Sequence, residues 1–296
     1  MRELTLREFT VLADAAEGFA FDERNASGGD AAEREAVIAR LQGEGLMGVD
    51  GMVRAAGLEA LEPYRAKRAI MLASGFGSRM MPITINTPKP LVRVHGERII
   101  DSLLDAVFAA GIEEVYLVRG YLAESFDQLL LKYPSIRFID NPVYATTNNI
   151  SSALEARACF QNAYVFESDL LLKNSRLIRK YHYHSNYLGV PVERTDDWCF
   201  ATDEDGTIAG LKKGGEDCYH MFGISYWTAA DGVRLADDLE RSFADEANRQ
   251  YFWDEVPLTL CCEHYQVKAR ACSFDDVSEI DSFAELQEID PAYCIG

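Results

Sequence analysis

Positive charge is what this chain has least of. Lys and Arg number 29 against 48 Asp and Glu in 296 residues, a net charge of −19 at neutral pH. So acidic a surface repels phosphate backbones, and nucleic acid is not expected as a partner. Long hydrophobic runs are missing too. No stretch reaches the roughly 18 uninterrupted apolar residues of a membrane helix, and the opening MRELTLREFT lacks an apolar signal core. No membrane partner is expected, and the cytoplasm is the expected location. No two of the seven cysteines (Cys159, Cys199, Cys218, Cys261, Cys262, Cys272 and Cys294) are spaced C-x-x-C, which excludes zinc-ribbon and redox-dithiol readings. Scattered cysteines suit a reducing compartment, and the adjacent Cys261 and Cys262 are expected on opposite faces of one strand. Absent as well are a P-loop, a dinucleotide G-x-G-x-x-G and the G-x-S-x-G elbow of a covalent hydrolase. What remains is ordinary globular usage, with 48% hydrophobic and 26% charged residues.

The chain reads as two parts, 1–66 and 67–296. The first has apolar residues at helical spacing over Leu4 to Ala16, then the loop NASGGD, whose Asp30 can cap a helix through Val37, Ile38 and Leu41. A short hairpin turning at Asp50-Gly51 and a helix from Ala55, interrupted at Pro63, complete a small winged helix-turn-helix-like module. Residues 1–68 hold nine Lys/Arg and thirteen Asp/Glu, a net charge of −4. A DNA reader presents a basic face, so this module is read as a packing, dimerisation or regulatory appendage. From Arg68 the pattern becomes βαβαβαβ, with strands at Ala69–Ala73, Val115–Val118, Ile136–Ile139 and Tyr164–Phe166. Helices are expected at Ile99–Ala110, Glu124–Lys132 and Ile150–Cys159. That succession is an α/β, Rossmann-like, mixed but mainly parallel sheet flanked by helices, with its site at the strand C-termini.

The segment SGFGSRMMP, Ser74 to Pro82, follows the first strand directly. Gly75 and Gly77 let backbone N–H groups approach a polyphosphate without a Cβ in the way, and Arg79 adds a forked cation. About ten residues on, prolines flank Lys89 in Thr87-Pro88-Lys89-Pro90-Leu91, which holds a point charge suited to a triphosphate or a departing pyrophosphate.

The run AIMLASGFGSRMMPITINTPKPLVRVHGERIID resembles the signature of nucleotidyltransferases that join an NTP to a phosphorylated metabolite. With VRGYLAESF, NPVYATTNNISSAL, AYVFESDLLL, TDDWCF, YFWDEV and SEIDS, the chain from Arg68 to Tyr293 is similar to bacterial CTP:phosphocholine cytidylyltransferases. The resemblance implies that Arg79 and Lys89 act on the triphosphate, beside Ala73, Gly75, Gly77 and Ser78. It places Gly120, Tyr121, Asn148, Asn149 and Ser151 at the base or ribose, and Asp169 and Asp281 on a Mg²⁺ ion at the α-phosphate. Two local readings compete with it: Asn149 could cap the helix at Ile150, and Asp281 the helix at Ser282.

For the acceptor, Trp198 follows Asp196-Asp197, and Tyr251-Phe252-Trp253 precedes Asp254-Glu255. Aromatic faces beside carboxylates hold a quaternary ammonium, and the resemblance makes Trp198, Tyr251, Trp253, Asp254 and Glu279 that cage; buried core packing is the competing role for the aromatics. Lys212 and Lys213 are read as a solvated strand end and His182 and His184 as a surface helix end. The expected reaction is CMP transfer from CTP to a small phosphorylated amino-alcohol, foremost phosphocholine, giving CDP-choline. Phosphoethanolamine and 2-aminoethylphosphonate are close alternatives. A sugar-1-phosphate nucleotidyltransferase and a nucleotide-sensing transcriptional regulator are more distant ones, and a homodimer is compatible with the sequence.

Overall fold

The computed structural model describes residues 2–19 and 31–294. By internal contacts the chain forms two units, Met1–Ala66 with Arg179–Tyr183, and Lys67–Ile178 with His184–Gly296.

In the first unit, α1 (Leu6–Glu17) opens on a reciprocal cap between Thr5 and Glu8 and closes at Gly18, whose φ of 67° is left-handed. Two further helices follow, α2 (Ala31–Gly43) and α3 (Ala55–Leu61). The chain turns at Asp50-Gly51, pairing Met47 with Val53 in antiparallel fashion. Pro63 ends α3 in a single 3₁₀ turn. Leu4, Leu12, Leu41 and Leu61 are buried together with Tyr181, and Tyr64 stacks on Tyr183 with ring centroids 5.3 Å apart. Arg179 is clamped by Asp14 and Glu17, which fixes the 179–183 segment to α1. Asp30 and its loop lie outside the described residues.

The second unit is built on a seven-stranded sheet. Its strands are β1 (Arg68–Ala73), β2 (Glu114–Arg119), β3 (Arg137–Asp140), β4 (Ala163–Glu167), β6 (Asn186–Thr202), β7 (Ile208–Trp227) and β8 (Lys268–Ala271). Spatial order is β8-β6-β7-β4-β1-β2-β3. The central β1 is almost wholly apolar and buried, as a parallel strand covered on both faces must be, and it pairs in parallel with β2 and β4. Only β7 runs against its neighbours, pairing antiparallel with β4 and with β6. A small ladder beside the sheet joins β5 (Leu170–Leu172) to β9 (Val277–Glu279). Helices α4 (Ile99–Ala109), α5 (Ile150–Glu155) and α6 (Ala229–Ala244) accompany the strands, and α7 (Phe283–Ile289) follows β9. The segment after Tyr121, expected as an α-helix, winds as 3₁₀ from Ala123 to Leu131. None of the described helices is long and apolar enough to cross a membrane.

Two local expectations fail. Cys261 and Cys262 sit in consecutive turns between α6 and β8, not on a strand, because Pro257 starts a wide turn there. His182 and His184 lie in irregular chain before β6; His182 is buried instead of ending a surface helix.

Gly232 of α6 permits a close helix–loop approach, since a Cβ there would lie 2.4 Å from the Phe160 carbonyl oxygen. Replacing Gly232 with Ala is expected to destabilise the protein by about 1–3 kcal/mol through overpacking, read as a lowered midpoint in thermal unfolding.

Candidate active site

The sheet's C-terminal edge opens into a cleft of about 520 Å³. β1 delivers Ala73, Ser74 and Gly75 to one wall. The chain then turns at Gly77, whose φ is 61°; a Cβ there would crowd Lys89 Cβ at 3.0 Å and Thr84 Cγ2 at 3.1 Å. No atom lies within 4 Å of the Cβ position of Gly75, which leaves that backbone open to a ligand. Ser78 and Arg79 follow in a 3₁₀ turn, and a second such turn places Lys89 beneath them.

Asp169 lies just beyond β4, and Asp281 just beyond β9. The β5–β9 ladder draws them together, with the Ile280 N–H donating to the Asp169 carbonyl at 3.4 Å. Lys89 Nζ donates to Asp169 Oδ2 at 2.8 Å and to Asp281 Oδ1 at 2.9 Å. Arg79 forks onto the same Asp281, at 2.7 and 2.8 Å. The competing cap reading of Asp281 is not met. Ser282 is the N-cap, closing a capping box with Glu285, so the Asp281 side chain is free to face the cations. Burial opposes charge on Lys89, but the two carboxylates outweigh it and hold the ammonium above its usual pKa. Burial likewise opposes ionisation of Asp281, and Lys89 and Arg79 overcome it to hold that carboxyl below its ordinary value.

The donor set here suits a divalent metal. Asp169, Glu279 and Asp281 present oxygens within 4.8 Å of one another. Asp169 Oδ1 is buried without a hydrogen-bond partner, and all-oxygen carboxylate sets favour hard divalent cations. Glu279, expected on the acceptor, stands beside Asp169 and Asp281; burial and then Asp169 and Asp281 raise its pKa to about 10.

Also on the cleft, Trp198 meets Phe252 edge-on at 5.6 Å, with Asp197, Lys213 and Asp254 on the lining. Trp253 does not line it. It is 1% exposed and packs on Trp227 and Phe160, each at 5.9 Å, so core packing won at that position and Phe252 takes the wall. Tyr251 is half-buried and off the lining. Asn149 does line it: its Nδ2 donates to Glu167 at 3.1 Å and its Oδ1 accepts the Trp253 N–H at 2.8 Å. It occupies the N-cap position of α5 without a side-chain cap bond.

Asn148 and Ser151 hold the loop instead of facing the cleft. Asn148 Nδ2 donates to the Gln250 carbonyl at 3.1 Å, and Ser151 Oγ to the Asn148 carbonyl at 2.9 Å. Gly120 makes room for the Tyr144 ring, and the Tyr121 hydroxyl donates to the carbonyls of Thr84 and Ile85, bracing the glycine turn from outside. Lys213 lines the cleft, and Lys212, its neighbour on β7, does not.

Sequence reasoning missed Phe252, Ser152 and Glu167. Glu167 stands two residues before Asp169, so strand alternation alone could have put both on one side. Ser152 pairs with Ser74 at 2.5 Å, a contact that no spacing announces.

Asp254 is buried, and burial raises its carboxyl pKa from 3.8 to about 6, even though the Tyr187 hydroxyl donates to its Oδ2 at 3.0 Å. The unfolded chain therefore loses this proton first, and stability is lost as pH rises from about 4 through about 6. Asp254→Asn is expected to gain on the wild type over that window, by up to about 3 kcal/mol for a two-unit shift. Melting both proteins at pH 4.5 and 7.5 checks this; an equal gap at the two pH values contradicts it.

Comparisons with known proteins identify relatives of this chain. The nucleotidyl transferase family matches residues 68–187. Over 228 residues the chain is 35% identical to a 2-aminoethylphosphonate cytidylyltransferase of Lancefieldella rimae, covering 76% of this chain and 92% of that protein. It is 28% identical over 226 residues to a choline-phosphate cytidylyltransferase of Streptococcus pneumoniae, covering 75% and 97%. The solved CTP:phosphocholine cytidylyltransferase from Streptococcus pneumoniae matches the fold with a TM-score of 0.71 at 27% identity, covering 77% of this chain and 99% of that one. The 35% identity across most of both chains, with the nucleotidyl transferase match, shows that the chain belongs to the nucleotidyl transferase family and, within it, to the cytidylyltransferases.

Proposed function

We propose that the protein transfers CMP from CTP, with Mg²⁺, to a small acceptor carrying a phosphoryl or phosphonyl group at one end and an ammonium at the other. The observation that carries this reading is that one cleft is lined by both kinds of group. Arg79, Lys89 and the open glycine backbone suit phosphates, and the Trp198–Phe252 pair and the Asp254 carboxyl suit a cation.

Among cationic acceptors, 2-aminoethylphosphonate suits the site best. Asp254 Oδ1 is buried with no hydrogen-bond partner, and a primary ammonium can supply the N–H that a trimethylammonium lacks. Phosphocholine is the second reading, favoured by the Trp198–Phe252 pair, whose ring faces attract methylated cations.

In the reaction an acceptor oxygen attacks the α-phosphorus of CTP in line. The new P–O bond forms as the bond from the α-phosphorus to the bridging oxygen breaks, and pyrophosphate leaves. Backbone N–H groups of Gly75 to Ser78 align the triphosphate, and Arg79 and Lys89 neutralise charge growing on the leaving group. Asp169 and Asp281, with Glu279 beside them, would hold the Mg²⁺, which when bound screens the phosphate charges. No protein nucleophile is required. Residues 1–66 we read as an appendage outside this chemistry, and the seven free cysteines suit a reducing cytoplasm.

Pyrophosphate release over a panel of nucleotides and acceptors tests the reading. CTP with 2-aminoethylphosphonate is expected to give the highest kcat/KM; turnover confined to sugar 1-phosphates contradicts it. Trp198→Ala is expected to raise the acceptor KM about ten-fold while leaving that for CTP within about two-fold, the size of a desolvated cation–π contact.

A further inference from the structure

We infer that a divalent ion and a triphosphate bind this site as a coupled pair, because Arg79 closes the metal carboxylates until a polyphosphate draws it away. The inference rests on the metal and phosphate roles given above, and it concerns a step before chemistry.

Both oxygens of Asp281 are taken. Oδ2 accepts from Arg79 Nη1 at 2.7 Å, and Oδ1 accepts from Arg79 Nη2 at 2.8 Å and from Lys89 Nζ at 2.9 Å. Asp169 Oδ2 is taken by Lys89 at 2.8 Å, which leaves Asp169 Oδ1 as the unpartnered oxygen of the two carboxylates. A hard dication needs several anionic or carbonyl oxygens at once and is repelled by cations already seated on them. Arriving alone, it meets one open oxygen on this aspartate pair, the Glu279 carboxyl beside it, and two cations.

The two cations differ in their freedom. The Lys89 side chain is 9% exposed and stands between prolines, so it stays where it is. The Arg79 side chain is 68% exposed, on the turn directly after Gly77. Arg79 holds Asp281 Oδ2, and a triphosphate lying over the open Gly75 backbone offers its fork a better-charged partner. As Arg79 moves to phosphate, Asp281 opens to the ion. Linkage makes the effect mutual: the ion also favours the phosphate-bound position of Arg79. The pair to be broken is bidentate but exposed, so the coupling is expected to be about five- to ten-fold.

Mn²⁺ titration of the full-length protein, followed by the paramagnetic resonance signal of the free ion, reads this directly. Arg79→Gln is expected to bind Mn²⁺ alone about five- to ten-fold more tightly than the wild type. Inorganic tripolyphosphate, corrected for the ion it chelates, should tighten Mn²⁺ on the wild type and not on Arg79→Gln. Lys213→Gln removes a cleft cation outside this ion-pair set and should stay within about two-fold of the wild type, separating the latch from a general field effect. Equal Mn²⁺ affinity of wild type and Arg79→Gln, or an equal gain in Lys213→Gln, overturns the inference. Tripolyphosphate carries neither base nor acceptor. Coupling without CTP turnover therefore overturns only the proposed function, and turnover without coupling overturns only the latch.

Discussion

Everything at the reactive end hangs on one ammonium group. Lys89 Nζ sits within 3 Å of two carboxylates that are 112 residues apart in sequence, and it does so while almost fully enclosed. A charge so placed would be expelled without partners, and each partner would be expelled without it. The fold meets that demand with ordinary means. Two prolines stiffen the turn that carries Lys89, a three-residue ladder ties the end of β4 to the end of β9, and a Ser–Glu capping box relieves Asp281 of any duty to its own helix. The phosphate-binding turn then wraps over this centre, with Gly77 as the one backbone position where a side chain would push Lys89 and Thr84 aside.

The cleft carries far more negative charge than its resident cations cancel. Glu167, Asp169, Asp197, Asp254, Glu279 and Asp281 face it, against Arg79, Lys89 and Lys213. Burial pushes several of these carboxyl groups toward the protonated form. On the proposed reading, a dication and an ammonium bound in the cleft would offset that excess. On the same reading the phosphates of a nucleotide would meet Arg79, Lys89 and the backbone donors of the glycine turn, and those local groups set its binding where the overall charge of −19 opposes it.

The parallel core was legible because its signals are local. β1 is a short apolar run ending at glycines, and the chain from Arg68 to Glu167 alternates strand and helix at spacings that admit one topology. Asp169 and Asp281 were legible only through resemblance, because nothing in spacing says that residues so far apart will meet. The long antiparallel strands β6 and β7 escaped the periodicity reading, since register shifts interrupt their alternation. The aromatic wall was half legible. Three consecutive aromatics at 251–253 cannot all face one cavity, and which one turns inward depends on tertiary packing: Trp253 fills a gap among Trp227, Phe160 and Tyr187, which leaves Phe252 for the cleft. Asn148 and Ser151 belong to the right loop but spend their hydrogen bonds on building it.

Anomalous diffraction from crystals soaked with Mn²⁺ and CTP tests the central claim most directly. The account predicts an ion about 2.1 to 2.3 Å from carboxylate oxygens of both Asp169 and Asp281, with the Arg79 fork moved from Asp281 to the triphosphate. An ion found elsewhere, with the Arg79–Asp281 pair intact beside bound nucleotide, would contradict it.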